Sequence, residues 1–191
     1  MSSVTKIIYL YGKKFLLKTK KSLRQKSLGF FHLTMRKNFY RMILRGDLMK
    51  IYLDNCCYNR PFDDQKQIKI QLETIAKLHI QNQIKIGIYN LVWSYILDFE
   101  NKNNPYEDKK FQIAEWRFIA KENIFEENEE IILTAEKLQA EKNIKTYDAL
   151  HIACAIFAKC DYFITVDKKL LNTQIEEIKI ISPINFLQEV E

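Results

Sequence analysis

Short apolar runs alternate with longer stretches of helical periodicity from Lys50 onward, and that alternation limits the fold more than any other feature of the sequence. A strand of four or five apolar residues with no polar face must be covered on both sides, and strands separated by helices pair in parallel rather than through hairpins. The expected fold class is therefore α/β: a central, mostly parallel sheet with helices on both faces. Strands are expected at Lys50–Leu53, 84–89, 131–133, 162–166 and 178–181. Helices are expected over 64–81, with Ile68, Leu72, Ile75, Leu78 and His79 as the buried stripe, and over 91–100, 106–121 and 184–189. Thr134 is expected to cap a helix to Glu141, and Thr146 to begin one that buries Leu150, Ala153, Cys154 and Phe157. Pro61 is expected to hold Arg60 extended, and Asp167 to cap a turn of helix through Leu171.

The net charge of +6 divides unevenly. Before Met49 stand 12 Lys or Arg residues and one acid, Asp47, a balance of +11; the remaining 18 basic and 23 acidic residues give −5. Residues 1–48 thus read as a basic extension and 49–191 as one domain. Interleaved aromatics (Tyr9, Tyr11, Phe15, Phe30, Phe31, Phe39, Tyr40) suit an arm that binds RNA or an anionic membrane. An acid-poor basic leader also suits an organelle transit peptide. The favoured reading is a translation start at Met49, because Arg45-Gly46-Asp47-Leu48 is encodable by a purine-rich stretch of ribosome-binding type.

No apolar run approaches a membrane span and no cleavage pattern follows the Ile7-Ile8-Tyr9-Leu10 stretch, so a cytoplasmic protein is expected. The four cysteines, Cys56, Cys57, Cys154 and Cys160, lack CxxC spacing and read as reduced, mostly buried thiols. A zinc site from His151, Cys154 and Cys160 is the weaker alternative to packing.

Four acids stand where apolar segments end or begin: Asp54, Glu100, Asp148 and Asp167. Singly, each has a plain structural explanation: a turn residue, a solvated helix end with Asp98 two residues away, an N-terminal helix acid and an N-cap. Jointly they are more informative. In a parallel sheet the C-terminal ends of strands and the N-terminal ends of helices meet at one rim, so Asp54, Asp148 and Asp167 are expected together there. Clustered carboxylates repel and raise one another's pKa unless a divalent cation neutralises them.

The stretches Met49-Lys50-Ile51-Tyr52-Leu53-Asp54-Asn55, Asn59-Arg60-Pro61-Phe62-Asp63-Asp64-Gln65, Asp148-Ala149-Leu150-His151-Ile152-Ala153 and Tyr162-Phe163-Ile164-Thr165-Val166-Asp167 resemble the PIN domain, the fold of the VapC-type ribonuclease toxins. The Arg-Pro-Phe-Asp-Asp-Gln stretch is similar to one bacterial and archaeal branch in particular. The resemblance runs from Met49 to the C-terminus and implies an endoribonuclease that depends on Mg²⁺ or Mn²⁺, the toxin of a toxin–antitoxin pair, with RNA as substrate, an antitoxin protein as partner and a homodimeric state. It implies that Asp54, Glu100, Asp148 and Asp167 are catalytic and hold the metal, one of the later pair through an intervening water. Glu100 matches by its place six residues after Ser94. Thr165 matches a supporting hydroxyl, and Asn55 stands where many members carry Ser or Thr.

Near the acid-bearing turns, Arg60, Lys145, Lys168 and Lys169 are the candidates to hold flanking phosphates. His79 and His151 read as structural, His151 with Asp148 within its reach at i+3. A phosphatase built on the strand-end aspartate is disfavoured because Cys56 occupies the second position of an Asp-x-Asp motif. A catalytically weak PIN domain serving as an RNA- or protein-binding scaffold is the alternative from another class.

Overall fold

The computed structural model describes Leu48–Val190. The expectations for residues 1–47 lie outside the described residues. Five strands form one all-parallel sheet in the order β3-β2-β1-β4-β5: β1 Lys50–Leu53, β2 Asn90–Ser94, β3 Glu122–Ile124, β4 Tyr162–Ile164 and β5 Lys179–Ile181. The chain runs outward from β1 through β2 to β3, then returns to the other side of β1 for β4 and β5. Strand order therefore reverses between β1 and β4, where an open parallel sheet leaves a crevice beyond its C-terminal edge.

Helices supply the connections: α1 Asn55–Asn59 with a 3-10 turn at Arg60–Phe62, α2 Ile68–Lys85, α3 Tyr95–Lys102, α4 Glu107–Ala114, α5 Trp116–Ile119, α6 Glu129–Lys142, α7 Thr146–Phe157, α8 Lys168–Leu171 and α9 Pro183–Val190. Helix α6 packs along α7, and α2 along α9. Ile51, Tyr52 and Leu53 have no exposed surface, so both faces of β1 are covered, as a central parallel strand requires. Tyr52 stacks on its register partner Phe163, with centroids 5.5 Å apart. Among the described residues, no helix is long and apolar enough to cross a membrane.

Several expected elements are displaced. The 84–89 strand is instead the end of α2 and its turn, and β2, Asn90–Ser94, takes up the first residues of the 91–100 segment expected as helix. Gly87, at φ +78°, allows the helix to close: its N–H reaches Ile84 O (3.0 Å) and that of Ile88 reaches Gln83 O (2.9 Å), the reciprocal bonding of a Schellman motif. The 131–133 run is helical, not a strand. Asn128 caps α6 by accepting the Ile131 N–H (3.0 Å), Glu129 and Glu130 suit the positive helix end, and Thr134 lies inside the helix. The strand of this region is Glu122–Ile124, and the 106–121 helix divides into α4 and α5.

The buried stripe on α2 is also corrected. Ile68, Leu72, Ile75, Leu78 and His79 face solvent, while Ala76, Ile80 and Ile84 enter the core beside Glu73, Thr74, Lys77 and Gln81. Arg60 is helical rather than extended, because Pro61 occupies the first turn of the 3-10 segment, where its missing N–H costs nothing. On α7, Ala153 and Cys154 are buried as expected, Leu150 is half-buried and Phe157 is exposed. All four cysteines are free thiols. Burial pushes Cys154 up to about 12 and Cys160 higher still, which suits packing and disfavours thiolate ligation of zinc.

Candidate nuclease site

Asp54 leaves the end of β1 with its backbone N–H on Ile164 O of β4 (3.0 Å), so its buried side chain enters the crevice between the two strands. Its Oδ2 accepts two short bonds, from the Thr165 hydroxyl (2.7 Å) and the Cys56 thiol (2.9 Å). Thr165, fully buried, also accepts the Asp167 N–H (3.1 Å), and the Cys56 sulfur accepts that of Val166 (3.4 Å). These bonds fasten the end of β1 to the turn after β4. They leave Asp54 Oδ1 without a hydrogen-bond partner among the described residues.

Asp167 caps α8 as expected, its Oδ1 accepting from the backbone N–H groups of Lys169 (2.7 Å) and Leu170 (3.1 Å). Its second oxygen has no such partner among the described residues. Asp148 lies half-buried in the first turn of α7. Burial pushes its carboxyl up, and the charges of Asp54 and Asp167 push in the same direction against weaker attraction from His151 and Lys145.

Glu100, in the last turn of α3, accepts the buried His151 Nε2–H at 2.9 Å. His151 does not reach for Asp148 as its spacing suggested. Its Nδ1 meets the Tyr52 hydroxyl at 2.7 Å, which in turn meets Ser94 Oγ at 2.5 Å. A carboxylate only accepts, so Nε2 carries the proton toward Glu100. In a neutral ring Nδ1 then accepts from Tyr52, which is left to accept from Ser94. One polarised chain thus ties β1, β2 and α7 to the glutamate.

Asp54, Glu100, Asp148 and Asp167 line one cleft of about 360 Å³, together with Asn55, Cys56, Asn59, Arg60, Asp63 and Val166. Asp98 points elsewhere, accepting from Trp93 Nε1 (2.9 Å) and pairing with Arg117 (3.1 Å). Among the described residues Asn55 bonds to no acid; its side-chain partner is Asn59 Nδ2, at 3.5 Å. Of the proposed phosphate contacts, Arg60 lines the cleft, braced by Glu73 (3.0 Å) and Asp63 (2.9 Å). Lys145, Lys168 and Lys169 do not line it, and the Lys169 ammonium is engaged with Asn143 O. Cys56, Asn59 and Asp63 escaped the sequence reading. Cys56 carried one readable signal, its place two residues past the strand-end acid.

Among the described residues, no three His, Cys, Asp or Glu side chains are set as a ready-made metal cage. The donor chemistry nonetheless fits a hard dication. Among the described residues each of the four acids keeps a carboxylate oxygen with no hydrogen-bond partner and none is paired to Lys or Arg, and at Asp148 the charges of Asp54 and Asp167 add to burial in raising the carboxyl. Mg²⁺ retains several waters and needs few protein ligands, so a closed cage is not required.

The chain matches no curated protein. Residues 51–176 match the PIN domain, a span that runs from Ile51 in β1 past β4 and holds Asp54, Glu100, Asp148 and Asp167. The chain belongs to the PIN domain family, a nuclease-type fold.

Proposed function

We propose that the chain is a Mg²⁺- or Mn²⁺-dependent endoribonuclease that hydrolyses RNA phosphodiesters, and that it is the toxin of a toxin–antitoxin pair, cytoplasmic, homodimeric and held by an antitoxin protein. The observation that carries the nuclease reading is the convergence on one cleft of acids from the end of β1, from α3 and α7, and from the cap of α8, with Asp148 pushed up by burial and then by the charges of Asp54 and Asp167. The toxin, dimer and VapC-type assignments rest on the family resemblance of the motifs alone.

Asp54, Glu100, Asp148 and Asp167 would hold the metal. When bound, it supplies Lewis acidity at a phosphate oxygen and lowers the pKa of the attacking water. The protein's own part is positioning. Thr165 and Cys56 fix Asp54 with Oδ1 toward the cleft, and His151 fixes Glu100. Arg60, braced on one side by Glu73 and Asp63, offers the rest of its guanidinium to a phosphate beside the acids.

Purified protein should cleave RNA in Mg²⁺ or Mn²⁺ and stop in EDTA. Asp54→Asn should lose more than the roughly 10- to 100-fold that removing a supporting partner costs, with its fold intact. Cleavage that survives both EDTA and Asp54→Asn would sink the metal mechanism. The second reading is a catalytically weak PIN domain that serves as an RNA- or protein-binding scaffold. Calorimetry with Mn²⁺ on the parent, Asp54→Asn and Glu100→Gln separates the two, since a scaffold shows no binding that these acids control.

A further inference from the structure

The cleft sets an arginine among its acids without pairing them. Arg60 lines it together with Asp54, Glu100, Asp148 and Asp167, yet the acids it meets are others. A guanidinium left free on its stem beside four carboxylates would settle on them, since charge-assisted, bidentate bonds to a carboxylate are the strongest it can make. Contacts on its other side hold it back. Glu73 Oε2, buried on α2, lies 3.0 Å from Nε, and Asp63 Oδ2 accepts from Nη1 at 2.9 Å. The backbone is clamped as well: the Gln65 amide donates to Arg60 O and to Asp63 O, both at 3.0 Å, and the Thr74 hydroxyl to Arg60 O at 3.3 Å. The Arg-Pro-Phe-Asp-Asp-Gln stretch is thus an arginine with its own braces, completed by Glu73 and Thr74 from α2. Lys69 shares Glu73 at 3.5 Å, so two cations meet two acids and the mount is neutral. It adds little long-range attraction for a phosphate; it fixes a direction.

We propose that Glu73 and Asp63 are positioning residues that hold Arg60 off the four cleft acids, so that the arginine does not take the place of the dication. The inference rests on the metal-dependent reading of the cleft. A guanidinium and a divalent ion compete for the same carboxylate oxygens, and the nearer, tethered cation has the advantage unless it is restrained. Departure of Arg60 would leave the buried Glu73 carboxylate with only the more distant Lys69, and an uncompensated buried charge is strongly unfavourable. The guanidinium therefore stays on its own side. Its Nη2 has no partner among the described residues and remains for a phosphate oxygen.

The test uses the full chain and Mn²⁺, read by calorimetry. Glu73→Gln keeps the shape and frees the guanidinium, and should weaken Mn²⁺ binding about 10- to 100-fold. Arg60→Gln should bind Mn²⁺ at least as tightly as the parent. Glu73→Gln/Arg60→Gln should recover that affinity, because the competing cation is gone. A pair that merely pins the turn to α2 predicts otherwise, with the double variant no better than Glu73→Gln. Should Glu73→Gln fail to fold, Asp63→Asn, at a side chain 42% exposed, carries the same comparison with and without Arg60→Gln. The metal-free protein gives a second reading that needs no ion. With isotope-labelled arginine, the NMR signal of the Arg60 Nε–H, identified by its loss in Arg60→Gln, should ignore Asp54→Asn and Asp148→Asn in the parent and move on either in the freed variant. Parental affinity in the freed variant, or no recovery on removing Arg60, overturns the mount, while Mn²⁺ binding and RNA cleavage by the parent keep the nuclease reading. A parent that binds no Mn²⁺ and cleaves nothing sinks the nuclease reading, and the NMR signal then decides the mount: movement confined to the freed variant sustains it, and no movement in either background overturns it.

Discussion

Thr165 spends its hydroxyl on two partners at once, donating to Asp54 Oδ2 and accepting the Asp167 N–H. Thr165→Val keeps the shape and removes both bonds. Metal affinity by calorimetry should fall about 10- to 100-fold, while a direct-ligand change such as Asp54→Asn costs more. Asp148 gives the pH dependence. Its carboxyl titrates above the ordinary value of 3.8 in the folded chain, so between the two values the native state binds the more protons. Stability of the metal-free protein should therefore fall as pH rises through that window, and Asp148→Asn should melt higher than the parent at pH 7. The gap should close on acidification below the folded value, and Mg²⁺ should narrow it at neutral pH; thermal melts with and without the ion check both. Asp54, Asp148 and Asp167 were legible because strand-end and helix-start positions follow from the alternation of elements alone. The Cys56 thiol on Asp54 and the turn of His151 toward Glu100 were not, since both depend on which elements pack together and on rotamers that sequence spacing leaves open.

Helix α2 shows what periodicity alone misjudges at the scale of an element. Ile68, Leu72, Ile75 and Leu78 form a clear stripe, yet the sheet takes the opposite side, where Ile80 and Ile84 enter the core and the Glu73 carboxylate is neutralised by Arg60 and Lys69. A buried acid within reach of two cations is invisible to a hydrophobic pattern, because its partners come from a distant turn as well as from its own helix. Ile80→Ala should cost about 2–4 kcal/mol by chemical denaturation, whereas Leu72→Ala, half-exposed, should stay within about 0.5 kcal/mol. Equal costs would mean that the expected stripe faces the core after all. The polarised chain from Ser94 to Glu100 makes a second demand. Tyr52→Phe leaves His151 Nδ1 buried without its donor, a loss of about 1–3 kcal/mol, and should weaken metal binding even though Tyr52 does not line the cleft. The central strand and the α7 helix were readable because their apolar runs are long or strictly bounded. The 84–89 and 131–133 runs were ambiguous between helix end and strand, and Gly87 and Asn128 resolved them through caps whose partners lie in the neighbouring turn.

For the whole molecule, charge and fold divide at nearly the same place. The balance changes from +11 to −5 at Met49, β1 begins at Lys50, and the PIN match begins at residue 51. Leu48–Glu191 forms a compact unit by itself. Its sheet closes on its own chain, with Lys50 N–H bonded to Asp161 (2.7 Å) and Asn90 N–H to Met49 O (2.9 Å). A chain beginning at Met49 should therefore fold alone and keep its melting temperature and any nuclease activity within error. Nucleic-acid affinity then separates the readings of the extension. The domain itself is acidic, so an arm carrying 12 basic residues would supply most of the phosphate attraction, and that term weakens steeply with salt. If the arm binds RNA, its removal should weaken binding chiefly at low salt and flatten the dependence on salt, with little change at high salt. If translation starts at Met49, the native protein already lacks the arm, and peptide mapping should find Met49 at its start. Peptides recovered from before Met49 would discard the start-site reading and leave the arm to be judged by the salt titration.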